Sequence, residues 1–145
     1  MILVDANILI YAYNSSAELH GAARLWVESA FSGADPVRLS WSTIHAFLRL
    51  TTHTAVFPQP LSMEESVSIV ESWLAQPAVG IVEPGSAYWS ILRGLLRQAR
   101  VRGALVMDAH LAALAIEHGA VLYTTDRDFR RFEGLQVMNP CGDAG

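Results

Sequence analysis

A chain of 145 residues that is 52% hydrophobic is predicted to form one domain, residues 1–145, with a substantial core, which excludes a disordered protein. No apolar run reaches the roughly 18 residues of a membrane span, and no basic segment precedes the first apolar run as in a secretion signal. Cys141 has no partner for a disulfide. A cytoplasmic protein is therefore expected. The net charge of −4 argues against a nucleic-acid partner. However, all ten basic residues are arginine, and seven of them lie between residues 93 and 131. This cluster either contacts the phosphates of RNA or forms a solvated helix face.

Apolar periodicity, capping residues and turn residues predict strands that alternate with helices. In chain order the predicted elements are strand 1–5, helix Asn7–Tyr13, helix 19–32, strand Val37–Ser40, helix Ser42–Thr52, helix Ser62–Ala75, strand Val79–Val82, helix Ser86–Val101, helix 108–118, strand Ala120–Thr124, short helix Arg127–Phe132 and strand Gln136–Met138, followed by a polar tail. Ser62 to Glu65 matches a capping box, and Gly119 is expected to end the helix before it. This alternation is typical of an α/β domain with a mostly parallel sheet.

Three carboxylates lie where strands are expected to meet helices. Asp5 ends the first strand, Asp108 heads the helix 108–118, and Asp126 follows the strand that ends at Thr124. Because the carboxyl ends of parallel strands share one edge of the sheet, we expect the three side chains to converge there. Convergent oxygen donors are typical of a site for a hard divalent cation, and hence of phosphate chemistry. Asp5, Asp108 and Asp126 are therefore the predicted metal ligands and catalytic residues.

Each of these residues also has a purely structural interpretation, because Asp favours the N-cap of a helix. For Asp108 this interpretation includes a place in the first turn, where the helix dipole favours a carboxylate. Of the pair Asp126 and Asp128, one is expected to be structural, and Asp126 is the preferred ligand because it is nearer the strand end. His110 follows Asp108 by two residues and is a candidate to line the same site. The five histidines of the chain do not have the spacing of a zinc site.

Four segments carry a family resemblance: Ile2–Ala12, Phe47–Thr52 with Pro60–Ser62 after it, Met107–Ala115 and Thr125–Phe129. On these motifs the chain resembles the PIN domain family, specifically VapC-type toxins of bacterial toxin–antitoxin pairs, over nearly its whole length. The resemblance implies a PIN-like three-layer α/β/α sandwich and a Mg²⁺-dependent ribonuclease, with Mn²⁺ as the alternative ion. It also implies a homodimer and a cognate VapB-like antitoxin that blocks the site.

The chain departs from the family pattern at Ala46, where many members carry a Glu just before the Phe-Leu-Arg segment. Ala104 is a second departure, since relatives often have Asn there. The acidic set is therefore three rather than four. Either another carboxylate substitutes, or the site binds metal weakly, or nuclease activity is reduced, or the alanine is an engineered replacement.

The sequence predicts a metal-dependent endoribonuclease toxin in which Arg127, the nearest arginine in sequence, holds the RNA backbone. A catalytically weak PIN-fold protein that binds RNA or its partner is the alternative, and Ala46 favours it. A haloacid-dehalogenase-like phosphatase or a receiver domain fits poorly. Both use a Lys, of which the chain has none, and Asp5-Ala-Asn7 lacks the second Asp of the phosphatase motif.

Overall fold

A computed structural model of the chain describes residues 1–142, so residues 143–145 of the predicted polar tail lie outside the described residues. Its elements are β1 (Ile2–Val4), α1 (Ala6–Tyr13), α2 (His20–Phe31), β2 (Val37–Leu39), α3 (Trp41–Thr51), α4 (Met63–Leu74), β3 (Val79–Ile81), α5 (Tyr88–Gln98), α6 (Leu105–His118), β4 (Val121–Tyr123), a 3₁₀ helix (Arg127–Arg131) and β5 (Val137–Met138). Every predicted element is present. The two largest differences in extent are α5, which is shorter than predicted at both ends, and α6, which begins earlier.

All strand pairings in the described sheet are parallel, with the order β3-β2-β1-β4-β5. β1 is central, and Ile2 lies opposite Val37 on one side and Val121 on the other. The predicted α/β class with a parallel sheet is confirmed. The chain builds outward from β1 through β2 to β3 and then returns to β4 on the other side of β1. The strand order therefore reverses between β1 and β4.

Helices cover both faces of the sheet. Successive residues of a strand point to opposite faces, and β1 follows this rule: Val4 packs into a core with α1 to α4, while Leu3 packs into a second core with α5, α6 and the 3₁₀ helix. Both residues are at most 1% exposed. The predicted three-layer sandwich is thus confirmed, with β1 buried between two helical layers as parallel sheets require.

Local sequence explains where several helices begin and end. Ser62 and Glu65 form the predicted capping box at the start of α4. Gly119, at φ 64°, ends α6 as predicted, because glycine adopts this left-handed conformation without a steric penalty. Among residues 1–142, no helix has both the length and the apolar character needed to cross a bilayer.

Candidate functional site

The carboxyl ends of β1 and β4 meet at the point where the strand order reverses. Ligands of open α/β sheets bind at such a switch point. Asp5 follows β1, and its backbone N–H donates to the Tyr123 carbonyl at the end of β4, at 3.0 Å. Asp126 follows β4 and precedes the 3₁₀ helix. The topology therefore brings residues that are distant in sequence to one crevice.

Thr124, buried at the end of β4, ties these two strand ends together. Its hydroxyl donates to Oδ2 of Asp5 at 2.7 Å and accepts from the backbone N–H of Asp126 at 3.0 Å. A hydroxyl has one donor and two acceptor sites, so both hydrogen bonds form at once. Thr124 was not predicted as a site residue, although its place between a buried strand and Asp126 was a signal that pointed to it.

The alternative that these aspartates are only helix caps holds in part for Asp126 but not for Asp5. Asp126 is the N-cap of the 3₁₀ helix, and its Oδ1 accepts from the backbone N–H of Asp128 at 2.8 Å. Asp5 is the N-cap of α1 by position, but within residues 1–142 its side chain makes no capping hydrogen bond. Its carboxylate accepts from Thr124 instead. Helix capping therefore accounts for part of the Asp126 geometry, whereas the Asp5 carboxylate is held by the Thr124 hydroxyl and by the backbone N–H of Ala6.

Asp108 does not follow a strand, and the helix that carries it begins three residues earlier than predicted. α6 begins at Leu105, and the chain reaches it from α5 through a turn in which Arg100 and Gly103 have positive φ, 53° and 63°. This turn sets the start of α6, and Ala104 takes the N-cap position without a side-chain hydrogen bond among the described residues. Asp108 lies within the first turn, which confirms one of its two predicted positions; the positive end of the helix dipole favours a carboxylate there.

Asp5, Asp108 and Asp126 nevertheless line one cavity of about 380 Å³, called here the acidic cavity. Three carboxylates, those of Asp108, Asp126 and Asp128, each offer one oxygen that lies within 4.8 Å of the other two. Two oxygens bound to one Mg²⁺ lie at most about 4.2 Å apart, so small side-chain shifts would let one ion reach all three. Asp5 stands outside this group but faces the same cavity. The structure thus brings Asp128 to the site together with Asp126.

Burial and mutual repulsion raise the pKa values of two of these carboxyl groups. The pKa of Asp108 rises to about 6; the causes, in order of size, are burial and the charges of Asp126, Asp5 and Asp128, opposed by Arg131. Burial also raises the pKa of Asp5, although the hydrogen bonds from Thr124 and the Ala6 N–H oppose it. Negative charge is therefore costly in this cavity, and a cation placed among these carboxylates would remove that cost.

α3 forms another wall of the acidic cavity. Ala46 lines it and brings no carboxylate, and His45 and Arg49 line it as well. Arg49 was not predicted as a site residue. It follows Ala46 by three positions on the same helix, which places the two on one face, and that spacing was the available signal.

Two residues singled out in the sequence lie beside the acidic cavity. His110 lines a neighbouring cavity, where its Nδ1 is hydrogen-bonded to the Tyr88 hydroxyl. Residues two apart on a helix point in different directions, which explains why His110 does not follow Asp108 into the acidic cavity. Arg127 lines a third cavity, of about 270 Å³, that shares Asp126 with the acidic cavity.

The fold and the acidic cavity define a class of α/β proteins that gather carboxylates at the switch point of a parallel sheet. Residues 2–135 match the family model described as PIN domain, and the chain belongs to that family. The resemblance found in the sequence is confirmed. Membership in this family sets aside the haloacid-dehalogenase-like phosphatase and the receiver domain.

Named relatives refine this placement. Ribonuclease VapC37 of Mycobacterium tuberculosis (strain ATCC 25618 / H37Rv) is 43% identical over 140 residues, which cover 97% of both chains. Ribonuclease VapC48 of the same strain is 34% identical over 137 residues, which cover 94% of both chains. Among solved structures, a toxin–antitoxin complex from Klebsiella pneumoniae contains a chain with TM-score 0.63 and 18% identity, covering 97% of this chain and 98% of that one. The relatives confirm the VapC-type resemblance, and the solved structure supports the fold.

Proposed function

We propose that the protein is a metal-dependent endoribonuclease toxin that hydrolyses RNA phosphodiesters. The acidic cavity carries the proposal, because Asp5, Asp108 and Asp126 face one space at the switch point and Asp128 lies beside two of them. The relatives support the reaction, since VapC37 and VapC48 are both named ribonucleases.

The donor set fits Mg²⁺, with Mn²⁺ as the alternative. Carboxylate oxygens are the hard ligands that these ions prefer, and the repulsion that raises the pKa of Asp108 is the kind that a bound cation relieves. Asp108, Asp126 and Asp128 would hold the ion, and Asp5 would complete the set from β1. When bound, a divalent ion neutralises charge on the scissile phosphate and lowers the pKa of an attacking water.

The other residues of the site contact the RNA backbone or orient the carboxylates. Arg49 is exposed and lines the acidic cavity, so its guanidinium is placed to pair with a phosphate oxygen of the RNA backbone. Thr124 fixes the orientation of the Asp5 carboxylate through the hydrogen bond at 2.7 Å. Arg127, at the neighbouring cavity that shares Asp126, provides a second contact for the backbone.

An RNA-cleavage assay tests the proposal directly. A mixed single-stranded RNA is incubated with the protein in Mg²⁺, in Mn²⁺ and in chelator, and cleavage is expected only with a divalent ion. Asp108→Asn and Asp126→Asn should each reduce the rate by more than about 100-fold, because metal-assisted hydrolysis depends on the carboxylates that hold the ion. Asp35→Asn is the matched control, since Asp35 is an exposed residue outside the acidic cavity. Full cleavage in chelator, or full activity of both site variants, would overturn the proposal.

A second candidate function is binding of RNA or of a partner without cleavage, and Ala46 favours it. This residue leaves α3 without a carboxylate at the acidic cavity. If the second candidate is correct, the wild-type protein binds RNA but leaves it intact in both ions, and Ala46→Glu gains cleavage. The same assay therefore separates the two functions.

The proposal includes the partners. The solved neighbour from Klebsiella pneumoniae is a toxin–antitoxin complex, and we propose that this chain acts in the cytoplasm as a homodimer that a VapB-like antitoxin neutralises by covering the acidic cavity. Co-expression with a small adjacent gene for a DNA-binding protein tests this part. A stable complex with suppressed cleavage is the expected result. Separate elution of the two proteins with undiminished cleavage would contradict it.

A further inference from the structure

A second cavity, of about 230 Å³, adjoins the acidic cavity along the carboxyl edge of the sheet. It lies at the ends of β2 and β3 and against α6, and it is called here the tryptophan cavity. The residues that matter in its lining are Trp41, Ser42, Glu83 and His110. Ser42 lines both cavities, so the two are neighbours across this one residue.

Trp41 gives this cavity an aromatic surface. It is the first residue of α3, and it is 48% exposed, although tryptophan is highly buried on average. Its indole Nε1 donates to Oε1 of Glu83 at 3.3 Å. This hydrogen bond ties the start of α3 to the segment after β3 and fixes the orientation of the ring. The indole is therefore both exposed and held in place.

Polar groups also line the tryptophan cavity. The ring of His110 is positioned through its Nδ1 by the Tyr88 hydroxyl, and its Nε2 is a second hydrogen-bonding atom on the same ring. The Ser42 hydroxyl is 2.7 Å from that of Ser40. The Glu83 carboxylate has two oxygens and accepts several hydrogen bonds. It repels a phosphate but attracts the N–H groups on the edge of a base, so this cavity suits a planar, uncharged group with N–H donors.

α6 relates the two cavities to each other. Asp108 and Leu111 line the acidic cavity, and His110 and Leu114 line the tryptophan cavity. At about 100° per residue these pairs lie on adjacent faces of one helix. A strand of RNA whose phosphate enters the acidic cavity therefore has the tryptophan cavity directly beside it.

We propose that the tryptophan cavity binds an unpaired nucleobase of the RNA whose backbone crosses the acidic cavity. The base stacks on Trp41, and its edge donates to Glu83. The inference rests on the proposed function for the identity of the polymer and deepens it, because it assigns to Trp41 and Glu83 a contact with a base that the acidic cavity does not provide. Only an unstacked, unpaired base reaches an aromatic side chain in this way.

The test measures RNA binding separately from cleavage. Short single-stranded RNAs in which 2-aminopurine occupies each position in turn are titrated with the protein in the Asp108→Asn background, which is expected to bind RNA without cutting it. Stacking on an aromatic ring quenches 2-aminopurine fluorescence, a signal that a purely structural role of Trp41 would not change. Trp41→Ala and Trp41→Phe are compared with Trp89→Ala. Trp89 is 61% exposed and lies on α5, outside the lining of both cavities.

We expect quenching at one position of the RNA. Trp41→Ala should remove the quenching and weaken binding about 10- to 100-fold, the usual effect of losing one stacked base. Trp41→Phe should retain most of both signals, and Trp89→Ala should match its parent. If Trp41→Ala does not fold, an abasic nucleotide at the quenched position replaces it as the test. Equal affinity for abasic and intact RNA would then overturn the inference.

The outcomes separate this inference from the proposed function. If Trp41→Ala binds and quenches like its parent while the wild-type protein cleaves RNA with Mn²⁺, the inference fails and the nuclease stands. If Trp41→Ala loses binding while the wild-type protein cleaves nothing, the nuclease fails and the base-binding cavity stands. If neither the parent nor its variants bind RNA, the inference fails, and the nuclease fails with it only if the wild-type protein also leaves RNA intact.

Discussion

At Asp5, the hydrogen bond from Thr124 does not require a negative charge. An asparagine oxygen accepts from the Thr124 hydroxyl as well as a carboxylate does, while burial and the charge of Asp126 both disfavour the ionised side chain. We expect Asp5→Asn to lose metal-dependent cleavage, with a melting temperature in chelator that is unchanged or higher. Differential scanning fluorimetry and the cleavage assay measure the two effects. A clear fall in the melting temperature would show that Asp5 mainly stabilises the fold.

Ala46 offers the opposite experiment, because it adds a carboxylate. Its half-buried side chain lines the acidic cavity, so Ala46→Glu should tighten Mn²⁺ binding by about 10-fold and lower the melting temperature in chelator, since like charges repel. Isothermal titration calorimetry measures the affinity. Ala46→Gln, of similar size and without charge, is the control. Equal affinities for Ala46→Glu and the wild-type protein would show that position 46 does not reach the ion.

Only those parts of the site that lie at the ends of strands could be predicted from the sequence. The rule that carboxyl ends of parallel strands share an edge placed Asp5 and Asp126 together, and the structure has both in one cavity. Their roles as ligands stay a prediction. Thr124 was missed because its relation to the site depends on a contact across elements, the hydrogen bond that it donates to Asp5. Such contacts leave no periodic signal in the sequence.

At the scale of elements, the same limit appears in the connection between α5 and α6. The predicted helix Ser86–Val101 ends at Gln98, and α6 starts at Leu105 rather than at Asp108. A capping carboxylate is a good signal for a helix start, but here the turn through Arg100 and Gly103 determines it. Where local signals were strong, as at Ser62 and Glu65 before α4, the predicted start was correct.

The start of α5 is held by a side chain from another helix. Glu117 of α6 accepts from the backbone N–H groups of Gly85 and Ala87 at 2.7 and 3.0 Å. A Cβ at position 85 would lie 2.8 Å from Oε2 of Glu117. That carboxylate would have to move, and its two hydrogen bonds would be strained or lost.

Two glycine substitutions test this contact. Gly85→Ala should lower the free energy of unfolding by about 1–3 kcal/mol, the usual effect of losing hydrogen bonds to a charged group. Gly94→Ala is the matched control: it lies within α5, nothing is within 4 Å of the added Cβ, and alanine should raise the free energy of unfolding by about 1 kcal/mol. Urea denaturation measures both. A neutral Gly85→Ala would show that Glu117 moves aside freely.

On the scale of the whole molecule, the topology collects negative charge at one edge of the sheet. The net charge is −4, and the carboxylates of Asp5, Asp108, Asp126 and Asp128 lie together at the switch point of the sheet. Without a cation this edge would repel RNA, so the ion belongs in any account of binding. The stability of the protein should therefore depend on pH and on divalent ions together.

In the absence of a cation, stability should fall as pH rises. The pKa of Asp108 is raised from 3.8 to about 6 by burial first and by the neighbouring carboxylates next, and that of Asp5 is raised as well. Between pH 3.8 and about 6, Asp108 therefore binds more protons in the folded state than in the unfolded state. The free energy of unfolding falls as pH rises through this range, and the contribution of the protonated carboxyl group is lost above the folded pKa. Asp108→Asn should remove much of this dependence.

In the presence of a divalent ion, the stability of the protein should instead rise with pH. Metal binding requires deprotonated carboxylates, and an ion that binds only the folded state stabilises it by about 2.7 kcal/mol at a free concentration 100 times its Kd. The rise in melting temperature with Mn²⁺ should be large at about pH 7.5, above the pKa of Asp108, and small at about pH 5, below it. Thermal melts with Mn²⁺ and with chelator at both pH values measure the rise, and Asp35→Asn should behave like the wild-type protein. An equal rise at both pH values would mean that the ion binds away from Asp108, and the assignment of the acidic cavity as the metal site would then be wrong.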